Sequence, residues 1–374
     1  MKKPHVHGRK KHHAKKSGLP PGSLVYIGQS DDDVSKLAPS KLTLISYDAA
    51  GLQEKIITVG ELAALNLDIA NNTDASKRLW LNVHGIHDVA LIAEIGKVFG
   101  LHPLVLEDIL NTEQRPKVDE YSNYVFLETR HFYYEKDTLS VSSEQISMVL
   151  GRHFVLTLQE RSTGAFAPVR ERLRAEHSPM RSLGVDYLAY ALLDSIVDKY
   201  FHVLEQMDDD SEALEDALLA KPNIAQLHSI HQLKRASIEL RRVVWPLREV
   251  INHLARNESG FFSAATIPYL RDIYDHTISF IESLESIRDS LAGLMDIYMT
   301  SVSNRVNLEV RALTVVAMLF MPATLIAGIF GMNFHYMPWI AEHNGFWWAM
   351  SVMGAIALFM LMIFWRRQWL SSKT

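Results

Sequence analysis

The residues whose spacing could support chemistry lie in a charge-free stretch near the C-terminus. Asn307, Val310, Leu313, Ala317, Met321, Thr324 and Gly328 follow one another at intervals of 3, 3, 4, 4, 3 and 4, which places them on one stripe of an α-helix. Small or polar positions (Asn307, Ala317, Thr324, Gly328) are interleaved with Leu313 and Met321. If several copies turned this stripe towards a shared axis, rings of Leu and Met would form constrictions that shut by dewetting. Rings of Thr and Asn would hydrogen-bond the water shell of an ion. No acid stands on the stripe, so a cation passing along it keeps part of its hydration, which suits Mg²⁺, an ion that dehydrates reluctantly. The same stripe would also serve close packing between membrane helices, with Thr324 and Gly328 as small contact residues. Spacing alone leaves both readings open, and Pro322 and Asn333 then only bend and end the helix.

The stripe sits on a segment able to cross a bilayer. Residues 312–331 include no charge over twenty positions, about the length that spans a hydrocarbon core. A second uncharged run follows at 345–365, with Trp347, Trp348, Phe364 and Trp365 at its two ends, where interfacial aromatic belts sit. Arg305 and Arg311 precede the first run, Arg366, Arg367 and Lys373 follow the second, and the loop between has no Lys or Arg. The excess of basic residues on the inner side predicts that both termini and the large polar part are cytoplasmic, with the short loop outside. The expected organisation is a basic tail at 1–22, an α/β domain at 23–185 and a helical stalk at 186–311. A first span at 312–331, a loop at 332–345, a second span at 346–365 and a basic tail at 366–374 complete the chain.

Upstream, residues 24–27, 42–47, 79–83, 124–134, 141–150 and 154–158 are rich in β-branched and aromatic residues and read as strands. Helical patterns at 59–65 and 88–99, with a short one at 108–110, lie between them. This predicts a mixed sheet covered by helices. Long helices are expected at 186–219 and 224–256, separated by Lys221-Pro222, and from about 265 towards Phe330. A helix of that last length serves no compact domain but suits a stalk entering a membrane.

Composition narrows the function. The net charge of −5 conceals seven Lys/Arg and four His with no acid in residues 1–22, leaving 31 bases against 43 acids, or −12, in the remainder. That tail is expected to be disordered and to touch anionic lipid rather than nucleic acid. Without cysteine there are no disulfides, thiolate metal sites or cysteine nucleophiles. No phosphate-cradling glycine loop, nucleophile elbow or HExxH sequence is present, so a membrane-anchored enzyme has no motif behind it. His84 and His87 read as strand-end residues rather than ligands, and the run Asp208–Asp210 with Glu212 and Glu215 as a solvated helix face. A signalling receptor with merely structural spans remains the alternative of another class.

The segment MPATLIAGIFGMNFHYMP at 321–338 places Gly331-Met332-Asn333 at the outer end of the first of two C-terminal spans. With SNRVN at 303–307, HPLVLEDILN at 102–111, RPK at 115–117, QLKR at 232–235, WPLRE at 245–249 and RDIYDHT at 271–277, it resembles the CorA family of magnesium transporters, whose signature is GMN. The likeness covers roughly residues 40 to 370. It implies a homopentameric funnel: a cytoplasmic α/β/α domain, a stalk helix that continues as the pore-lining span, and a second span outside it. Gly331, Met332 and Asn333 would be the selectivity filter, with Asn333 capturing the hydrated ion. Asn307, Val310, Leu313, Ala317, Met321, Thr324 and Gly328 would line the pore, Leu313 and Met321 forming its gate.

The resemblance also implies regulation by cytoplasmic Mg²⁺ bound between subunits, at Asp108 and Asp272 with Glu107, Asp194 and Asp198 nearby, holding the pore shut. Mg²⁺, and with it Co²⁺ or Ni²⁺, is the implied cargo, in an inner or plasma membrane; Zn²⁺ or Co²⁺ as the principal cargo is the runner-up. The loop departs from many relatives by carrying His335 and Trp339 where acids are common, its first carboxylate being Glu342. Attraction of cations at the mouth would be weaker, or dependent on pH through His335 and His343.

Overall fold

The computed structural model describes residues 18–28, 38–62, 77–176, 178–258, 260–332, 335, 337 and 342–367. Contacts divide the chain into two units, Met1–Asp216 with Ala225–Ala292, and Ala217–Ile224 with Gly293–Thr374.

The first unit is built on a sheet of β1 (Lys41–Tyr47), β2 (Leu52–Ile57), β3 (Arg78–His84), β4 (Lys117–Glu120), β5 (Tyr124–Glu135), β6 (Ser140–Gly151) and β7 (Phe154–Gln159). Its order is β2-β1-β3-β7-β6-β5-β4. Among the described strands only β3 and β7 run parallel, so the sheet is mixed, as expected. The long hairpin forms in full register, from Tyr124 opposite Gly151 to Glu135 opposite Ser140. Residues 24–27 make no strand. Among the described residues of this stretch, Ile27 alone forms a bridge, parallel to Asn111.

On one face, Leu79, Leu81, Val83, Phe126, Val149, Leu156 and Leu158 form a core with Leu91, Ile92 and Ile95 of α1 (Val89–Phe99) and Val105 and Ile109 of α2 (Pro103–Leu110). Asp88 caps α1 by accepting from the Leu91 N–H, a standard use of a short acidic side chain at a helix start. The two helices meet closely at Gly96, where an added Cβ would lie 2.5 Å from a Leu106 methyl carbon. Trp80 is fully buried; its Nε1 donates to Thr157 Oγ1 at 3.0 Å and its ring lies edge-on to Phe166. A further helix, α3 (Ala167–Arg174), follows Phe166 and places the Arg170 guanidinium 5.6 Å from the Trp80 ring centroid.

Then come α4 (Val185–Ala220), α5 (Ile224–Arg256) and α6 (Ile267–Phe330). Tyr200 of α4 is fully buried, packs against Phe132 of β5 and Phe280 of α6, and donates its hydroxyl to the Arg130 carbonyl. That bond gives the phenol a partner for its polar end, as a buried tyrosine requires. Asp186 ties the start of α4 to the approach of α6, accepting from the Ser263 N–H and from the hydroxyls of Ser263 and Thr266. Helix α6 is continuous over 64 residues, about 96 Å at about 1.5 Å per residue, and passes through Pro322 without a break.

The second unit contains the downstream part of α6 and α7 (Gly345–Arg366). Both pass the length and apolarity expected of a membrane-crossing helix, and their apolar windows are uncovered within the single chain. An apolar surface of that extent is stable in lipid, not in water.

Candidate ion pathway and cation-binding groups

Every position of the stripe on α6 is exposed in the isolated chain, Leu313 at 70% and Met321 at 67%. Thr324 Oγ1 donates to the Phe320 carbonyl at 2.9 Å, and Thr314 Oγ1 to that of Val310 at 2.8 Å. With its proton held by its own helix, the Thr324 oxygen faces outward as an acceptor, able to take a hydrogen bond from a water on a cation. Near Asn307, Arg305 and Glu309 pair along the helix at 3.4 Å. At the outer end the Gly331 N–H donates to Ala327 O at 2.9 Å and the Met332 N–H to Ile329 O at 3.2 Å, a tightening common at helix ends. A Cβ at Gly331 would stand 3.2 Å from the Ala327 carbonyl oxygen, so the tight turn favours glycine. Asn333 and Trp339 lie outside the described residues; His335 is described and exposed.

A second constellation lies in the first unit. Asp194 and Asp198, one turn apart on α4, meet His276 of α6, and the ligand atoms of all three fall within 4.8 Å of one another. Asp272, one turn before His276, has a carboxylate oxygen 3.9 Å from its Nε2. The Asp194 carboxyl is raised above its ordinary range, first by burial and then by the Asp198 charge; Arg172 and His276 oppose this and Asp272 adds to it. Crowded anions of this kind repel one another until a cation joins them. Two carboxylate oxygens and an imidazole, with a third carboxylate beside them, suit a divalent ion bound directly or through water, and the imidazole extends the choice beyond Mg²⁺.

The structure thus brings Asp194, Asp198 and Asp272 together. Asp108 and Glu107 are engaged elsewhere, on α2. Asp108 accepts from Gln114 Nε2 at 2.8 Å and from the Lys117 ammonium at 2.5 Å, while Glu107 accepts from the Gly22 N–H at 2.6 Å. His276 is the ligand-type residue that sequence reasoning missed, although its spacing of four from Asp272 on one helix was a readable signal. Of the acidic run, Asp208 and Asp209 are exposed, whereas Asp210 accepts from the Tyr134 hydroxyl at 2.7 Å and lies 3.7 Å from Lys136 Nζ. His84 ends β3, where burial depresses it to about 4, so it is neutral at pH 7.

A family model described as CorA-like Mg²⁺ transporter protein matches residues 76–367. Over 355 residues the chain is 42% identical to the cobalt/magnesium transport protein CorA of Thermotoga maritima, spanning 95% of this chain and 98% of that one. The chain belongs to the CorA family. Another member, a putative metal ion transporter of Bacillus subtilis, is 32% identical over 78% of this chain and 89% of its own. In fold, the chain is similar to the complete CorA magnesium transporter of Methanocaldococcus jannaschii, with a TM-score of 0.71 at 22% identity, covering 87% of this chain and 98% of that one. Membership makes it a membrane protein built for metal-ion transport, which supports a role other than catalysis. The mixed sheet and the two long apolar helices at the C-terminal end are thus those of the family.

Proposed function

We propose that the chain is the subunit of a Mg²⁺ channel that also admits Co²⁺, assembled as a homopentamer in an inner or plasma membrane with both termini cytoplasmic. The observation that carries this reading is the uncovered stripe of α6, ending at Gly331-Met332, in a chain 42% identical to a cobalt/magnesium transport protein. Two apolar helices per subunit cannot enclose a path for a hydrated ion, so closure demands several copies about one axis. In that ring Asn333 captures the ion outside, Thr324 and Asn307 hydrogen-bond its waters, and Leu313 and Met321 exclude water when closed.

Cytoplasmic Mg²⁺ is the regulatory ligand in the same proposal. Its carboxylate ligands would be Asp272 of one subunit and Asp108 of the partner subunit, with Asp194 and Asp198 strengthening the field and Glu107 near Asp108. A dication joining these anions stabilises a closed, symmetric arrangement, and its loss lets the subunits separate. No role as an enzyme and no nucleic-acid partner is proposed.

The test is Mg²⁺ flux into liposomes containing the purified protein, with Co²⁺ and Zn²⁺ as competitors. Saturable Mg²⁺ entry reduced by Co²⁺ is expected, and no flux would leave a receptor with structural spans. One observation favours a larger part for Co²⁺: His276 offers a softer donor beside the carboxylates. His276→Ala should weaken Co²⁺ binding more than Mg²⁺ binding, as read by thermal unfolding with each ion.

A further inference from the structure

The motif RPK at 115–117 is not accounted for by the pathway or by the carboxylates above. Its lysine opens β4 opposite Glu128 and extends its ammonium back to α2. There it holds one oxygen of Asp108, while Gln114 holds the other. The same ammonium lies 3.0 Å from the Asp119 carboxylate and 5.6 Å from the Phe126 ring centroid. Asp108 is mostly buried, Lys117 about one-third exposed and Asp119 more open than either. Glu128, across the ladder, is buried and accepts from Gln145 Nε2. The Asp108 head group, proposed above to meet Mg²⁺, is therefore already satisfied within its own chain by one positive charge and one amide donor.

We infer that Lys117 is a tethered competitor of the regulatory cation: its ammonium occupies the Asp108 carboxylate, and Mg²⁺ binds there only by displacing it towards Asp119. The inference rests on the reading of Asp108 and Asp272 as the regulatory pair. The exchange is physically simple. An ammonium on a short tether meets Asp108 at a high effective concentration whatever the bulk solution contains, so it subtracts from the affinity of any ion that needs the same oxygens. Asp119 keeps the displaced charge paired and limits the cost of the exchange. Lys117 would thereby set the Mg²⁺ concentration at which the closed state forms without touching the transported ion.

The test measures the Mg²⁺ concentration that gives half-maximal protection of the full-length protein from protease, with metal-free thermal unfolding as a check on the fold. Lys117→Met keeps the chain length and removes the charge. Its midpoint should fall about fivefold, about 1 kcal/mol, the upper end for a partly exposed ion pair. Asp119→Asn, at a half-buried position, should act in the opposite direction, raising the midpoint about two- to threefold because the ammonium loses its alternative partner. An unchanged or raised midpoint in Lys117→Met overturns the inference, as does an unchanged or lowered one in Asp119→Asn. The second variant decides alone if Lys117→Met does not fold. Asp272→Lys in parallel separates the two levels. If it retains native protection, the regulatory reading fails; if it loses protection while the other two variants behave as native, only the competitor fails.

Discussion

Replacing Asp194 by Asn removes one charge from the cluster of α4 and α6 while keeping an oxygen in nearly the same place. Three donor atoms within 4.8 Å of one another have a common centre no more than about 2.8 Å from each. Direct Mg²⁺ ligation at about 2.0–2.1 Å would need them to close by about 0.7 Å, or else a water to complete a contact. Two unit charges about 4 Å apart interact by on the order of 4 kcal/mol at an effective dielectric of 20, and a dication doubles this to about 8 kcal/mol. Exposure of Asp198 and solvent screening reduce this to about 1.4–2.8 kcal/mol, a ten- to hundredfold loss of affinity. Because burial and the Asp198 charge already disfavour ionised Asp194, the same variant should unfold at a higher temperature than native protein when metal is absent. Thermal unfolding in detergent, with chelator and then across a Mg²⁺ series, reads both effects. A tenfold weaker site forfeits about 1.4 kcal/mol of ligand stabilisation at saturating Mg²⁺. An unchanged Mg²⁺ midpoint, or a metal-free variant less stable than native, would refute the reasoning.

Three other outcomes are expected. Asn333→Ala should abolish Mg²⁺ flux in liposomes while the assembly keeps its mass in detergent; native flux would remove Asn333 from selectivity. Leu313→Asp places a carboxylate at a proposed dewetted ring and should raise leak or conductance by tenfold or more, so native conductance would place Leu313 off the pathway. Burial raises the Glu144 carboxyl to about 7, against 4.5 for the free group. The folded chain then holds a proton that the unfolded chain releases, so stability falls by about 3 kcal/mol as pH climbs from 4.5 to 7 and changes no further from this group above that. Glu144→Gln should flatten that slope in thermal unfolding at pH 5 and 8.

Long periodic segments were the most legible part of the sequence. Residues 224–256 read as a helix and form one with the same bounds, because apolar positions at threes and fours bury one face along its whole length. The β5–β6 hairpin was equally clear, being dense in β-branched and aromatic residues. Strand β2 was not: LQEKII leaves four of its six residues exposed at the sheet edge, so its composition is that of a solvated segment. KVDE of β4, the other edge, hides because it is only four residues long and three of them are charged, although three are half-buried. Helix α2 begins at Pro103, earlier than expected, because proline suits a first turn and His102 caps it through Nδ1. At the candidate site, the stripe was visible because its positions share one helix. The cluster was only half visible, since His276 meets Asp194 through the packing of two helices far apart in sequence. The hold of Gln114 and Lys117 on Asp108 depends on the turn after α2, which no periodicity reports.

Within the second unit, Asn307 and Gly328 belong to the same unbroken helix, about 30 Å apart along its axis at about 1.5 Å per residue. A hydrogen-bonded rod of that length acts as a lever. A swing of about six degrees pivoting near Asn307 would carry Gly328 sideways by about 3 Å, comparable to the diameter of a water molecule, given the same rise per residue. A modest tilt of this segment would therefore be enough to change whether the proposed apolar ring of Leu313 and Met321 is wet.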